Sequence, residues 1–79
     1  MATLRLFAQA REAAGTGSTE VTGATVGAVL DAAVAQFGPG FADVLGASRV
    51  WLNGERVERD AAVGPTDEVA VLPPVSGGA

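Results

Sequence analysis

The sequence has no cysteine, histidine, lysine or tyrosine among its 79 residues. Without cysteine there is no disulfide and no thiolate nucleophile, and without histidine the chain lacks the commonest metal ligand and an imidazole base. The nine carboxylates are scattered and show no pairing that would suggest general acid–base catalysis. These absences exclude most enzyme chemistry, so we expect no resident metal or bound cofactor. Because lysine is absent, no side chain could accept an isopeptide bond.

Long apolar runs and clustered basic residues are also missing. A membrane span needs about 18 or more consecutive apolar residues, and residues 1–5 lead into an apparent strand rather than into a signal peptide. We therefore expect no membrane association and a cytoplasmic location. The net charge of −4 argues against nucleic acid as a partner and favours a protein partner with a basic surface.

What remains is a short chain with 48% hydrophobic residues and a mean hydropathy of +0.32, which is typical of one small globular domain. Alternating residues predict a first strand over 3–8, and a short β-prone run over 18–22 follows a glycine turn. An apolar stripe from Val26 to Phe37, preceded by Thr25 as N-cap, predicts the main helix.

The second half of the chain predicts further strands. Gly38-Pro39-Gly40 should end the main helix, and a short helical turn over 41–45 should follow. Asn53-Gly54 suits a type I′ turn inside a hairpin over 49–57, and a final strand is predicted over 68–72. The pattern β-β-α-β-β-β predicts an α+β fold, a mixed sheet of four to five strands with one main helix packed across one face. The first and last strands could lie side by side at the centre of that sheet.

Strand alternation divides the apolar residues between two faces. Those predicted to point toward the helix are Leu4, Leu6, Val50, Leu52, Val69 and Val71. Phe7, Trp51 and Leu72 should lie on the opposite face, where no second helix covers them, and a patch of this kind marks a protein interface. Loops over the patch, or a one-residue slip of register, would remove it.

The end of the sequence, residues 73–79, carries no charge and contains two prolines and two glycines. We expect a β-grasp domain over 1–72 and a flexible tail over 73–79. Proline disfavours joining a sheet, and glycines make the tail tip thin enough for a narrow tunnel. The tail is therefore either a frayed end or a segment that carries a carboxylate into a partner's active site.

Both ends of the chain resemble one family. Phe7-Ala8, then Arg11-Glu12 and Gly15, is similar to the start of the small subunit of molybdopterin synthase, a ubiquitin-like β-grasp sulfur carrier. Residues 67–78, which end in Pro-Pro-Val-Ser-Gly-Gly, are similar to the last strand and tail of that family.

The resemblance implies a carrier whose catalytic residues lie on the large subunit of the synthase. An E1-like enzyme would use ATP to adenylate the carboxylate of Gly78, and a sulfur donor would convert it to a thiocarboxylate. That group would enter the large subunit and give its sulfur to a pterin precursor of the molybdenum cofactor. The implied tail residues are Gly77, Ser76 and Val75. The expected partner interface comprises Phe7, Arg11, Trp51, Leu72, Pro73 and Pro74, although Arg11 could instead pair with Glu12 or another acid.

One residue departs from the family pattern, because Ala79 follows the glycine that should react. Either a peptidase removes Ala79 or this form is inactive. Other hypotheses remain open: sulfur delivery to cysteine, thiamine or tRNA thiolation; a ubiquitin-like protein modifier; and a binding module with an inert tail.

Overall fold

The computed structural model describes residues 1–74, which form a mixed five-stranded sheet with three helices. The elements in chain order are β1 (Ala2–Leu6), α1 (Ala8–Ala14), β2 (Ser18–Val21), α2 (Val26–Phe37), α3 (Pro39–Gly46), β3 (Arg49–Leu52), β4 (Glu55–Arg56) and β5 (Glu68–Leu72). The strand order across the sheet is β2-β1-β5-β3-β4. This architecture confirms the α+β prediction, with α2 as the main helix.

The first and last strands pair at the centre of the sheet, as predicted. β1 and β5 run parallel, with Leu4 opposite Val69 and Leu6 opposite Val71. The outer pairs, β1 with β2 and β5 with β3, are antiparallel. β1 and β5 each have a neighbouring strand on both sides, so both are hydrogen-bonded along both of their edges.

The hydrophobic core lies between this sheet and the helices. Leu4, Leu6, Val69 and Val71 are fully buried with Val29 of α2. The side chain of Thr25 accepts a hydrogen bond from the Ala28 amide at 3.1 Å, which is the predicted N-cap. These contacts confirm the predicted inward face, with Val50 and Leu52 partly buried at its margin.

The predicted turn over 41–45 is an eight-residue helix, α3, that starts with Pro39 at its first position. Gly38 separates α2 from α3 with a φ of +93°, a value that glycine tolerates best. Phe41 is fully buried, and its ring centroid lies 5.3 Å from that of Phe37. α3 thus closes the end of the core that α2 leaves open.

The prediction that the first strand continues to Ala8 is wrong, because β1 ends at Leu6 and Ala8–Ala14 forms helix α1. Alanine has the highest helix propensity, and Gly15 closes the helix in the left-handed region at φ +78°. Only Ala10 of this helix is buried. The helix therefore lacks the apolar stripe by which α2 was predicted.

The β3–β4 hairpin turns at Asn53 and Gly54, whose φ values of +50° and +87° fit the predicted type I′ turn. A side-chain network attaches this turn to the start of β5. The carboxylate of Asp67 accepts hydrogen bonds from the Gly64 amide at 2.8 Å and from Nδ2 of Asn53 at 3.1 Å. Both bonds favour the charged form and lower the pKa of Asp67, with the Gly64 bond the larger cause.

The lowered pKa of Asp67 predicts a loss of stability in acid. The stabilisation is complete above the unfolded-state pKa of about 3.9 and is lost as the pH falls through the lower folded-state value. Asp67→Asn should therefore lose Tm less steeply than wild type below about pH 4. Thermal unfolding by circular dichroism at pH steps down to about pH 2 measures this slope. Asp43→Asn, on the exposed side of α3, controls for removal of one negative charge, and equal slopes for Asp67→Asn and wild type would contradict the assignment.

Gly23 is predicted to tolerate no side chain. A Cβ atom at Gly23 would lie 2.7 Å from the Val29 amide nitrogen and 2.8 Å from Cγ2 of Val29, whereas one at Gly40 meets nothing within 4 Å. Gly23→Ala should cost about 1–3 kcal/mol through overpacking, and Gly40→Ala should gain about 0.5–1 kcal/mol through helix propensity. Urea unfolding of both variants checks the opposite signs.

Candidate functional site

The side of the sheet that faces away from α2 is the candidate functional surface, and we call it the open sheet face. The core cluster on the other side includes Ala10 of α1 and Phe41 of α3, so within residues 1–74 the three helices pack on one side of the sheet. On the open sheet face the strand registers place neighbouring side chains in rows. One row is Ser18, Arg5, Ala70, Trp51 and Arg56.

Phe7 and Leu72 form the apolar part of this face, as strand alternation predicts. Their exposed fractions are 41% and 37%, and their neighbouring positions make them a small apolar patch rather than two scattered residues. The Phe7 amide donates a hydrogen bond to the Val71 carbonyl at 3.3 Å, which continues the β1–β5 pairing by one residue. This bond places Phe7 beside Leu72 at the end of the central strand pair. We call these two residues the apolar ridge.

Trp51 lies in the next row and is less accessible than predicted. It stands opposite Ala70 of β5 and Arg56 of β4, and it is half-buried. Its indole Nε1 is buried and has no hydrogen-bond partner among the described residues. The register prediction is confirmed, but Trp51 supplies only part of its surface to the face.

Arg11, Pro73 and Pro74 lie near the apolar ridge but differ in how exposed they are. Arg11 is exposed and, with Arg5, Phe7 and Thr16, lines a shallow depression of about 600 Å³. Within residues 1–74, Arg11 forms no ion pair, so the alternative pairing with Glu12 does not occur there. Pro74 is exposed, whereas Pro73 is buried and offers no free surface to a partner in this state of the chain.

The residues predicted to carry the chemistry, Val75, Ser76, Gly77 and Gly78, lie outside the described residues, and their roles stay predictions. β5 ends at Leu72, so the segment that leads to them starts beside the apolar ridge. Within residues 1–74, no group of three acidic side chains is arranged to hold a metal ion. No helix over the same span has both the length and the apolar character to cross a bilayer.

The strand order, with the C-terminal strand at the centre and a helix across one face, defines a ubiquitin-like β-grasp protein. Residues 4–78 match the model of the ThiS family, and the chain belongs to this family of sulfur-carrier β-grasp proteins.

Solved structures from several organisms share the fold. The chain is 38% identical to small archaeal modifier protein 1 (SAMP1) from Haloferax volcanii, with a TM-score of 0.82 and 98% of both chains covered. It is 26% identical to a chain of the BexX/CysO complex of Amycolatopsis orientalis, with a TM-score of 0.84 and coverage of 99% and 100%. A putative molybdopterin converting factor subunit 1 from Pyrococcus furiosus, at 24% identity, a TM-score of 0.82 and coverage of 94% and 97%, is similar in fold alone.

The apolar ridge should be dispensable for folding. Phe7→Ala removes a side chain that is 41% exposed and leaves no enclosed cavity, so we expect a loss of about 1 kcal/mol in the free energy of unfolding. Leu6→Ala, one residue earlier on the buried side, should cost about 3 kcal/mol because it leaves a cavity. Urea denaturation of the two variants measures the difference. If Phe7→Ala loses as much free energy of unfolding as Leu6→Ala, the ridge stabilises the domain itself and is not a surface reserved for a partner.

Proposed function

We propose that this protein is the sulfur-carrying small subunit of molybdopterin synthase. The observation that carries the proposal is the diglycine Gly77-Gly78, which precedes Ala79 in a chain that matches the ThiS family over residues 4–78. The Phe-Ala-x-x-Arg-Glu start and the Pro-Pro-Val-Ser-Gly-Gly end favour the molybdopterin branch over other sulfur acceptors. The exposed apolar ridge beside the start of the tail suits a subunit that docks and then inserts its tail.

In the proposed chemistry, the carboxylate of Gly78 is the reacting group. Its oxygen attacks the α-phosphorus of ATP in an E1-like partner, pyrophosphate leaves, and an acyl adenylate forms. Hydrosulfide released by a sulfur donor attacks the acyl carbon, AMP leaves, and loss of the proton from sulfur yields the thiocarboxylate. The sulfur then passes to the pterin precursor in the large subunit, and hydrolysis returns the carboxylate. Adenylation is needed because a carboxylate is a poor electrophile until its oxygen becomes part of a good leaving group.

The domain's contribution in this proposal is positioning. β5 is a central strand that is hydrogen-bonded to β1 on one side and to β3 on the other. The tail therefore starts from a strand that is paired along both edges. Phe7 and Leu72 would enter an apolar surface of the large subunit and hold the tail's starting point there. Exposed aromatic and aliphatic side chains that fill a partner's pocket are typical anchors of protein interfaces.

A second candidate, a ubiquitin-like protein modifier, is favoured by one observation. The relative at 38% identity is a small archaeal modifier protein by name. In this role the activated Gly78 would form an amide bond with a lysine amine of a target and release the activating group. The chain itself contains no lysine, so its side chains could not extend such a conjugate.

The first test is the intact mass of three forms after incubation with the E1-like enzyme, ATP and a sulfur donor. A form that ends at Gly78 should gain the mass difference between a sulfur and an oxygen atom. The form with Ala79 should stay unchanged unless a peptidase is added, because its carboxylate does not belong to Gly78. Gly78→Ala in the shortened form is the matched control, since it adds one methyl group at the reacting residue. No mass gain in the form ending at Gly78 would overturn the sulfur-carrier proposal.

A second measurement separates the synthase subunit from the modifier. The thiocarboxylate form, mixed with the large subunit and the cyclic pterin precursor, should produce the dithiolene and return to the carboxylate mass. High-molecular-weight conjugates in the native host that disappear when Gly78 is deleted, with no turnover of the precursor, would favour the modifier instead.

A further inference from the structure

The open sheet face is locally basic although the whole chain is acidic. The chain has five arginines and nine acidic residues. Arg5 and Arg56 occupy the row that contains Trp51, and Arg49 stands opposite Leu72. All three arginines are exposed, and alternation along the strands points them to the open sheet face. Three of the five arginines of the protein therefore lie on the same face of the sheet as Phe7, Leu72 and Trp51.

The acidic residues of this face lie at its other end. Glu20 and Glu68 stand opposite Thr3, two residues away from the arginine row along each strand. At about 3.3 Å per residue, the backbone of that row is about 7 Å from that of Arg5 and about 13 Å from that of Phe7. The side chain of Glu68 nevertheless reaches the guanidinium of Arg5, whereas no such contact involves Arg49 or Arg56 within residues 1–74. The remaining acidic residues lie on the helices, at the β4 edge and in the loop before β5. They are Glu12, Asp31, Asp43, Glu55, Glu58, Asp60 and Asp67.

The arginines around the apolar ridge are weakly used within the domain. Arg5 Nη1 lies 3.4 Å from Oε2 of Glu68, a contact between two side chains that are each nearly half exposed. The guanidinium carbon of Arg5 is also 5.8 Å from the centre of the Phe7 ring. Within residues 1–74, Arg49 and Arg56 form no ion pair. Exposed pairs of this kind contribute little to stability, so the charges stay available to a partner.

From this arrangement we propose that the partner surface that receives the open sheet face is acidic: an apolar pocket for Phe7 and Leu72, bordered by carboxylates that meet Arg5, Arg49 and Arg56. Charge complementarity selects this occupant, because a basic surface would meet three arginines at contact distance. The expectation of a basic partner, drawn from net charge, is replaced. This inference rests on the proposed function, in which the E1-like enzyme and the large synthase subunit are the partners that dock.

The experiment measures association of the full chain with each of these two partners between 50 and 500 mM NaCl, a range that shortens the Debye length from about 14 Å to about 4 Å. Thiocarboxylate formation is followed in parallel on the form that ends at Gly78. Arg49→Gln and Arg56→Gln each remove one positive charge from the open sheet face. Gln36→Glu, on the exposed side of α2, makes the net charge more negative by the same amount. Because Trp51 is the only tryptophan, 5-fluorotryptophan labelling gives one ¹⁹F signal that reports contact at the face directly.

With the proposal correct, wild-type affinity falls at least about tenfold across the salt range, and each arginine variant loses about three- to tenfold at low salt, mainly in the association rate. Gln36→Glu stays within about twofold of wild type, and the ¹⁹F signal shifts when an unlabelled partner is added. Thermal unfolding confirms that all three variants fold.

Three results would overturn the proposal. If affinity is insensitive to salt and to the arginines while the Gly78 thiocarboxylate still forms, the acidic-partner inference fails and the proposed function stands. A concentration-dependent ¹⁹F shift without any partner would mean that a second copy of the chain covers the face. Absence of both binding and thiocarboxylate formation would overturn the function and the inference together.

Discussion

The structure depends on the parallel pairing of β1 with β5 at the centre of the sheet. This pairing joins the first and last strands of the described domain. β2 lies beside β1 on one side of the pair, and β3 and β4 follow β5 on the other. Its buried side carries Leu4, Leu6, Val69 and Val71, the residues on which α2 packs. Because the two strands are far apart in sequence, forming them as neighbours has a large entropic cost, and burial of these four side chains with the helix offsets it. The central strand pairing and the packing of α2 therefore depend on each other.

The same pairing creates the candidate site. A strand alternates its side chains between two faces, so a register that buries Leu6 and Val71 must turn Phe7 and Leu72 outward. A slip of one residue would expose the core and bury the ridge together. The position of the apolar ridge is thus fixed by the register that builds the core. The segment that leads to the diglycine starts at the same point, next to the ridge.

Local signals predicted those elements in which sequence pattern and tertiary contacts agree. The apolar stripe and the Thr25 cap predicted α2, Asn53-Gly54 predicted the hairpin turn, and alternation predicted β5. α1 was not predicted, because it buries only Ala10 and its evidence is propensity alone, an alanine-rich run that ends at Gly15. The partial burial of Trp51 and the burial of Pro73 were also missed. They depend on which side chains stand across the sheet and beside it, and a single strand's sequence does not contain that information.

Net charge and local charge lead to opposite expectations about the partner for a related reason. Net charge sums all charged groups, whereas a docked partner responds to those within about 8 Å at physiological salt. Near the ridge those groups are arginines, and the acidic residues that make the chain negative lie mainly on other surfaces. An acidic partner is then attracted to the open sheet face and repelled by the helical side. Such a distribution favours the orientation in which the open sheet face, where the segment leading to Gly78 starts, meets the partner. The charges would then increase the rate of correctly oriented association even if they added little to the affinity of the final complex.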